Sequence, residues 1–402
     1  MEVDITDILN EEFTDKDIFD RILKDKLPSA DLPDKIDSKN APGTELEIPK
    51  DISDLCGRLK MWHENCRDLL VDLRTVNYEI SEDDTYIEFK DESYYGQRLY
   101  FKVDLQNPKD VKVIHATKQL CKIIGIPYAF FAANRPSLKK NIIRTWQAGL
   151  ADDTKKAQNV FKIRESKACT IIRAITPTTK SFIPLHELIQ IIKDSLNVPF
   201  RLEEAYGDEK DDLELHARFI FEKEYTFNGP ICLGFTITAS ELDACPLSID
   251  VLLYNKLSKT SCVALYGGES FFKSDYKGLQ SSSLREIIPL MLTRLEDEIP
   301  EIISRLDKKQ RSYLNSVFCA ESDAMEICKA KGMTSTIKKA IYHQVSECID
   351  DIKSPWDLAM HVGLVAKDFE ALKRVQIEKA IGTYLNLFFS EGSITDDTQE
   401  SE

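Results

Sequence analysis

The chain reads Val160-Phe161-Lys162-Ile163-Arg164 and, four residues later, Cys169-Thr170-Ile171-Ile172-Arg173-Ala174. Both segments are rich in β-branched residues and place apolar side chains at alternating positions, a pattern typical of strands. Their spacing predicts a hairpin over residues 159–175 with a loop at 165–168. An antiparallel sheet is therefore the expected centre of the fold.

The expected register of this hairpin sets Lys162 opposite Ile171 and Arg164 opposite Cys169. Opposed residues of an antiparallel pair point to the same face. One face would then carry Lys162, Arg164 and Arg173, and the other face would be apolar. The sequence thus predicts a half-buried hairpin with a cationic outer face, and a slip of one residue would undo this arrangement.

The hairpin lies in a cationic segment of an acidic chain. The 402 residues have a formal net charge of −15, whereas residues 134–181 hold eleven Lys and Arg against three Asp and Glu. Such a segment indicates a local site for a polyanion, although a solvated surface is the ordinary place for these side chains. The predicted nucleic-acid-binding residues are its cations and one aromatic residue: Lys139, Lys140, Arg144, Trp146, Lys155, Lys156, Lys162, Arg164 and Arg173.

Each residue type in this set has a distinct expected role. Lysine and arginine neutralise phosphates and release counterions, which makes binding strongly dependent on salt. Trp146 could stack on a base, as aromatic residues do in proteins that bind single strands. The set therefore favours a single-stranded nucleic acid as the polyanion.

The remaining patterns predict an α+β fold with a body that contains an antiparallel sheet and helices, followed by an all-helical C-terminal region. Alternation predicts strands between 78 and 103 and at 213–221, 231–237, 247–254 and 260–265. Helical spacing predicts helices at 53–74, 114–124, 136–150, 184–196, about 283–308, 311–329, 334–352 and 354–389. Ser354 as N-cap and Pro355 at the first position mark the start of the last helical region.

Charge and composition divide the chain into four parts. Residues 1–54 carry sixteen acidic and seven basic side chains and form an acidic arm and linker. An α+β domain follows at 55–280 and a helical domain at 281–390. Residues 391–402, with five acidic and no basic side chains, are expected to be a disordered acidic tail. The two acidic ends would compete with phosphates for the cationic segment.

Several functional classes find no support in the sequence. No apolar run approaches the roughly 20 residues of a membrane span, and the N-terminus lacks the pattern of a secretory signal. The ten cysteines are scattered without a CxxC pair, which favours reduced, buried thiols in a cytoplasmic protein. There is no P-loop, dinucleotide fingerprint or HExxH motif, so the sequence predicts no catalytic residues, no metal and no cofactor.

Three segments carry a resemblance to a known family. They are Ile124-Gly125-Ile126-Pro127, Ile172-Arg173-Ala174, and the pair Ser240-Glu241 after a strand. Together, over about residues 110–280, they resemble the phage- and plasmid-associated proteins that carry domain of unknown function 932. The chain departs from that family at Leu242-Asp243, where the family has Val-Gly. The resemblance implies a phage or mobile-element context, in which replication and recombination proteins are common.

Three functional hypotheses follow. The first is a phage or mobile-element protein that binds nucleic acid, with single-stranded DNA favoured, in replication or recombination and without enzymatic activity. The second is a phage structural or host-interaction protein, such as a virion component or an inhibitor of a host complex, whose acidic ends engage a protein partner. The third is a metal-dependent nuclease that uses Glu241. No membrane partner is expected, and a homo-oligomer is left open.

Overall fold

Two β-sheets and ten helices make up the described part of the chain. The computed structural model describes residues 49, 51–80, 85–89, 98–100, 111–150, 157–165, 170–206, 214–266, 270–314, 319–369, 371–389 and 394–395. The predicted acidic arm up to residue 48 lies outside these ranges. So does most of the predicted acidic tail.

The first sheet has six strands, ordered β1-β5-β6-β4-β3-β2. Neighbouring strands are antiparallel except β4 and β6, which run parallel. Their bounds are β1, Cys66–Asp72; β2, Val76–Ile80; β3, Thr85–Phe89; β4, Arg98–Tyr100; β5, Gln158–Glu165; and β6, Thr170–Pro177. One face of this sheet shares a buried core, the first-sheet core, with helices α2 (Val111–Ile124), α3 (Tyr128–Ala133) and α4 (Pro136–Gly149).

The second sheet has eight strands, five of which form an antiparallel meander from β7 to β11. The short strand β12 pairs with β10, and two C-terminal strands, β13 and β14, pair in parallel with β11 and β12. The bounds are β7, Phe200–Tyr206; β8, Leu215–Thr226; β9, Pro230–Ala239; β10, Leu247–Asn255; β11, Thr260–Tyr266; β12, Phe272–Ser274; β13, Phe388–Phe389; and β14, Ile394–Thr395.

Helices cover the second sheet. Their bounds are α1, Ile52–His63; α5, Leu185–Ser195; α6, Ser281–Leu314; α7, Ala320–Cys328; α8, Ser335–Glu347; α9, Pro355–Ala366; and α10, Ala371–Tyr384. Apolar side chains of these helices and of the meander form one continuous core, the main core. The change from strands to helices near residue 280 therefore does not interrupt the core.

The α+β class and the helical C-terminal region are confirmed, and so are the hairpin and the four meander strands β8 to β11, whereas β7 was not predicted. The predicted helix over 53–74 is wrong beyond His63, because Cys66–Asp72 forms an edge strand that pairs with β5. Leucines spaced like one helical face misled the sequence analysis here. Within β1, Leu69 is buried and Leu70 is exposed, which is the alternation of a strand.

The hairpin register differs from the expected one. Lys162 pairs with Ala174 and Arg164 pairs with Ile171, with a register shift between Lys162 and Ile163. The register prediction was therefore wrong by two residues near the loop and by three beyond the shift. The error of two residues arises because Glu165 pairs with Thr170, so that each strand is displaced by one residue relative to the expected loop. The third residue is a β-bulge that inserts Arg173 as an extra residue in β6.

A buried ionic network fastens α10 to the polar face of the meander. The Arg218 guanidinium donates to Glu378 at 2.7 Å and to the Ser261 hydroxyl at 2.6 Å. Arg374 donates to Glu378 at 3.1 Å and to Glu204 at 2.5 Å. Because side chains alternate along β8, Arg218 lies on the sheet face opposite the apolar side chains of the main core. The side of the sheet that contacts α10 therefore carries charged groups.

We expect Arg218→Ala to lower the free energy of unfolding by about 3–5 kcal/mol, because it leaves the Glu378 carboxylate buried with one guanidinium fewer. Urea denaturation measures this change. The matched control is Arg311→Ala, which removes an exposed partner of Asp307 on α6 and should change stability little. Equal effects of the two substitutions would contradict the role of the network.

The close approach of α10 to β11 depends on Gly382. A β-carbon at this position would lie 1.7 Å from the Val263 carbonyl oxygen, which belongs to the backbone and cannot rotate away. We expect Gly382→Ala to destabilise the fold by about 3 kcal/mol or more. Gly57, exposed in α1 with nothing near its β-carbon position, is the control, and Gly57→Ala should stabilise by about 0.5–1 kcal/mol. Thermal unfolding of both variants tests the contrast, and a stable Gly382→Ala protein would refute the close packing.

Candidate functional site

A polar pocket lies between the first sheet and the start of α5. Its volume is about 130 Å³. The wall includes residues from α1, β1, β5, β6, the segment before α5 and the turn after β9. We call it the Glu241 pocket, and it is lined by His63, Cys66, Arg67, Asp68, Lys162, Arg173, Phe182, Pro184 and Glu241.

Glu241 reaches the pocket from a tightly held turn, residues 240–244. The Ser240 amide donates to the Tyr276 hydroxyl at 2.7 Å, and the Ser240 hydroxyl accepts from the amides of Leu242 and Ala244. The Leu242 carbonyl oxygen in turn accepts from two side chains of α2, at 2.7 and 2.8 Å. These bonds fix the turn on both sides, so the carboxylate of Glu241 has a defined position.

The two α2 donors are His115 and Gln119. Gln119 also accepts from the Ile175 amide of β6 at 2.7 Å. A further link across the same boundary joins Lys180 to Asp243 at 2.7 Å. The boundary between the two sheets is therefore held by specific polar contacts beside the pocket.

The Glu241 carboxylate is nearly inaccessible and is surrounded by donors. It accepts from the Leu185 amide at 2.5 Å, lies 3.5 Å from the His63 ring nitrogen Nδ1 and 3.9 Å from the Arg173 guanidinium. Burial alone would raise the pKa of Glu241. The contacts with His63 and the Leu185 amide and the charge of Arg173 outweigh burial and hold this pKa below its usual value. The carboxylate is therefore ionised at neutral pH.

Two histidines beside Glu241 are shifted in opposite directions. The contact with Glu241 raises the pKa of His63 against the opposing effect of burial. Burial, followed by the nearby His63, lowers the pKa of His186, whose ring lies 5.1 Å from that of His63. The protonated form is thus favoured at His63 and disfavoured at its neighbour.

Lys162 extends from β5 into the pocket with its side chain only 9% exposed. Its ammonium donates to Asp68 of β1 at 2.9 and 3.2 Å and lies 4.8 Å from the centre of the Phe182 ring. Asp68 is 59% exposed, so one partner of this ion pair faces solvent. Arg67, also on β1, pairs with Glu165 at the exposed side of the strand.

The structure brings only part of the predicted cationic set together. Lys162 and Arg173 share the Glu241 pocket, but they are 7% and 4% exposed, so the expected outer face is not open to solvent at these positions. The segment before α5 and the 240–244 turn cover it. Arg164 is half-buried and donates to the Cys66 sulfur at the edge of the pocket.

The other predicted residues lie apart from this pocket. On α4, Lys140 pairs with Glu79 at 2.6 Å, and Lys139 lies 5.6 Å from the centre of the Phe131 ring. Trp146 packs against the first-sheet core, and Arg144 is exposed. Lys155 and Lys156 lie outside the described residues.

Sequence reasoning missed His63, Arg67 and Asp68. The last two fell in a segment assigned to a helix, so their alternation beside the hairpin went unrecognised. Glu241 was considered as a nuclease carboxylate and as part of the Ser240-Glu241 pair of the resemblance, but not as a neighbour of Lys162 and Arg173. Among the described residues, no three His, Cys, Asp or Glu side chains are grouped so as to hold a metal ion.

Comparisons with known proteins yield no relative. No protein-family model, curated protein or solved structure matches the chain. The resemblance to proteins that carry domain of unknown function 932 therefore stays a prediction. Within the ranges that the structure describes, none of the helices combines the length and the apolar character needed to cross a membrane.

The raised pKa of His63 makes a prediction about stability and pH. A group whose pKa is higher in the folded protein stabilises the fold below its ordinary value, about 6.5, and this contribution is lost as pH rises through the folded pKa. We expect His63→Gln to cost most stability near pH 5.5 and progressively less toward pH 8.5. Arg173 and Asp68 also affect the pKa of His63, and the His186 ring contacts the His63 ring; all three residues are unchanged in the variant.

Urea denaturation of both proteins across this range measures the difference. His343→Gln is the control, because His343 lies exposed on α8 beside Glu347. If His63→Gln lowered the free energy of unfolding by the same amount at every pH, protonation of His63 beside Glu241 would contribute nothing to stability.

Proposed function

We propose that this protein binds nucleic acid through phosphate groups, with the Glu241 pocket as the principal contact. The observation that carries the proposal is the convergence of Lys162 and Arg173, from adjacent strands, on one recessed cavity with Arg67 at its wall. In such a site cations attract an anion more strongly than on an open surface, because less water screens them.

A phosphate can enter this site at low cost. Lys162 is now neutralised by Asp68, a carboxylate that is mostly exposed. Because Asp68 is mostly exposed, water can solvate its carboxylate when the side chain turns outward, and an incoming phosphate can then take its place beside the Lys162 ammonium. Glu241 stays in place, because the Leu185 amide and His63 hold it.

A single strand suits this geometry better than a duplex. The cations are recessed, and a flexible strand can bend a phosphate inward, whereas a duplex backbone keeps its regular curvature. The proposed role is a binding protein in the replication or recombination of a phage or mobile element. This context rests on the sequence resemblance, and the binding rests on the pocket.

The test is fluorescence anisotropy with a labelled single strand and the matching duplex at 50 and 200 mM salt. We expect the single strand to bind more tightly, with an affinity that falls as salt rises. Lys162→Met should weaken binding and reduce the slope of log affinity against log salt by about 1, the value for one lost phosphate contact. Asp68, the partner that Lys162 leaves behind, is exposed, so the substitution does not create an unpaired buried charge.

Arg144→Met serves as the comparison, because Arg144 belongs to the predicted cationic set but lies on α4 outside the pocket. It should change affinity less than Lys162→Met does. Absence of binding at 50 mM salt would refute the proposal. If Arg144→Met weakened binding more than Lys162→Met, the principal phosphate contact would lie on α4 and not in the pocket.

A further inference from the structure

We infer that the Glu241 pocket takes the terminal phosphate of a strand, a monoester, rather than a phosphodiester within the strand. The inference rests on the proposed function and names the ligand more narrowly. It would make the protein one that recognises strand ends. Three observations carry it: the volume of the pocket, the depth of its cations and the balance of its charges.

The volume of the pocket admits a phosphate group and little else. A cavity of about 150 Å³ holds one benzene molecule, which has six heavy atoms. The Glu241 pocket, at about 130 Å³, is slightly smaller. It therefore accommodates the five heavy atoms of a phosphate group but not the sugar and base of a nucleotide, whose sites are typically about 300 Å³ or more.

The depth of the cations favours a group that projects from the end of a chain. The side chains of Lys162 and Arg173 are 9% and 5% exposed, so their charged groups are recessed in the wall. An internal phosphate carries a sugar on each side, and both sugars would have to follow it inward. A terminal phosphate has a sugar on one side only and presents three oxygens to the donors.

The charges in the pocket match a group of more than one negative charge. A phosphate monoester carries about −1.5 to −2 at pH 7, whereas a diester carries a single charge. Once Asp68 turns outward, Lys162 and Arg173 face the cavity, and Glu241 is the one carboxylate among the lining residues that stays buried. Arg67 lies at the wall, and its charge is offset by Glu165. The contact of Glu241 with His63, whose protonated form is favoured, offsets part of that negative charge. The remaining positive charge favours the monoester.

The experiment compares short single strands of one sequence that differ only at their ends: 5′-phosphate, 3′-phosphate or hydroxyl at both. Fluorescence anisotropy at 50 mM salt gives the affinities. We expect one phosphorylated strand to bind at least about 10-fold more tightly than the hydroxyl strand, as for the loss of one charge-assisted contact. Lys162→Met should remove this ratio, and Arg311→Met, at an exposed position on α6, should keep it.

A second variant keeps the inference testable if Lys162→Met folds poorly. Asp68→Asn removes the negative charge beside Lys162 and keeps an amide oxygen that can accept from its ammonium, so the ratio between phosphorylated and hydroxyl strands should increase. Unfolding curves confirm that each variant is folded before binding is compared. A ratio that is unchanged or smaller in Asp68→Asn would overturn the inference.

The outcomes separate this inference from the proposed function. Equal binding of all three strands overturns end recognition and leaves the proposed function standing. Binding of none of them overturns both. Inorganic phosphate and a nucleoside monophosphate are tested as competitors beside the unlabelled phosphorylated strand. If either competes at the same concentration as that strand, the ligand is a small phosphate, and recognition of a strand end is overturned.

Discussion

The buried charge of the Glu241 carboxylate constrains how the two sheets pack against each other. An ionised carboxylate taken out of water costs several kcal/mol unless donors and opposite charges surround it. Here the donors come from three separate elements: the Leu185 amide at the start of α5, His63 at the end of α1 and Arg173 in β6. The positions of these three elements are therefore coupled through one buried charge.

Much of the fold follows from local patterns in the sequence. The meander strands alternate so that one face enters the main core, and Ser354 caps α9 by accepting from the Asp357 amide at 3.1 Å. Such signals act over a few residues and are readable without a structure. The β1 strand was not readable, because Leu69 in the strand and Leu73 just after it also fit the spacing of a helix, and only the pairing with β5 separates the two structures.

The candidate site was less predictable, for physical reasons. The clustering of cations in the hairpin is a property of composition, so the sequence could indicate that Lys162 and Arg173 lie near each other, and both line the Glu241 pocket. Their burial depends on Asp68 and Glu241, which are distant in sequence and approach only in the fold. The bulge that adds Arg173 to β6 has no local signature either, because it is defined only by the pairing of β6 with β5.

The recessed position of the cations changes what they can do. At 4 Å, two unit charges interact by about 1 kcal/mol in water but by about 4 kcal/mol at the effective dielectric constant of a partly buried site. A lysine on the open surface therefore distinguishes poorly between anions, whereas in the proposed phosphate site Lys162 would respond strongly to their charge and shape. Asp68 keeps Lys162 neutralised without a ligand, and its own exposure makes it easy to displace. The same burial that removed these residues from the expected surface is therefore what would make the proposed phosphate site selective.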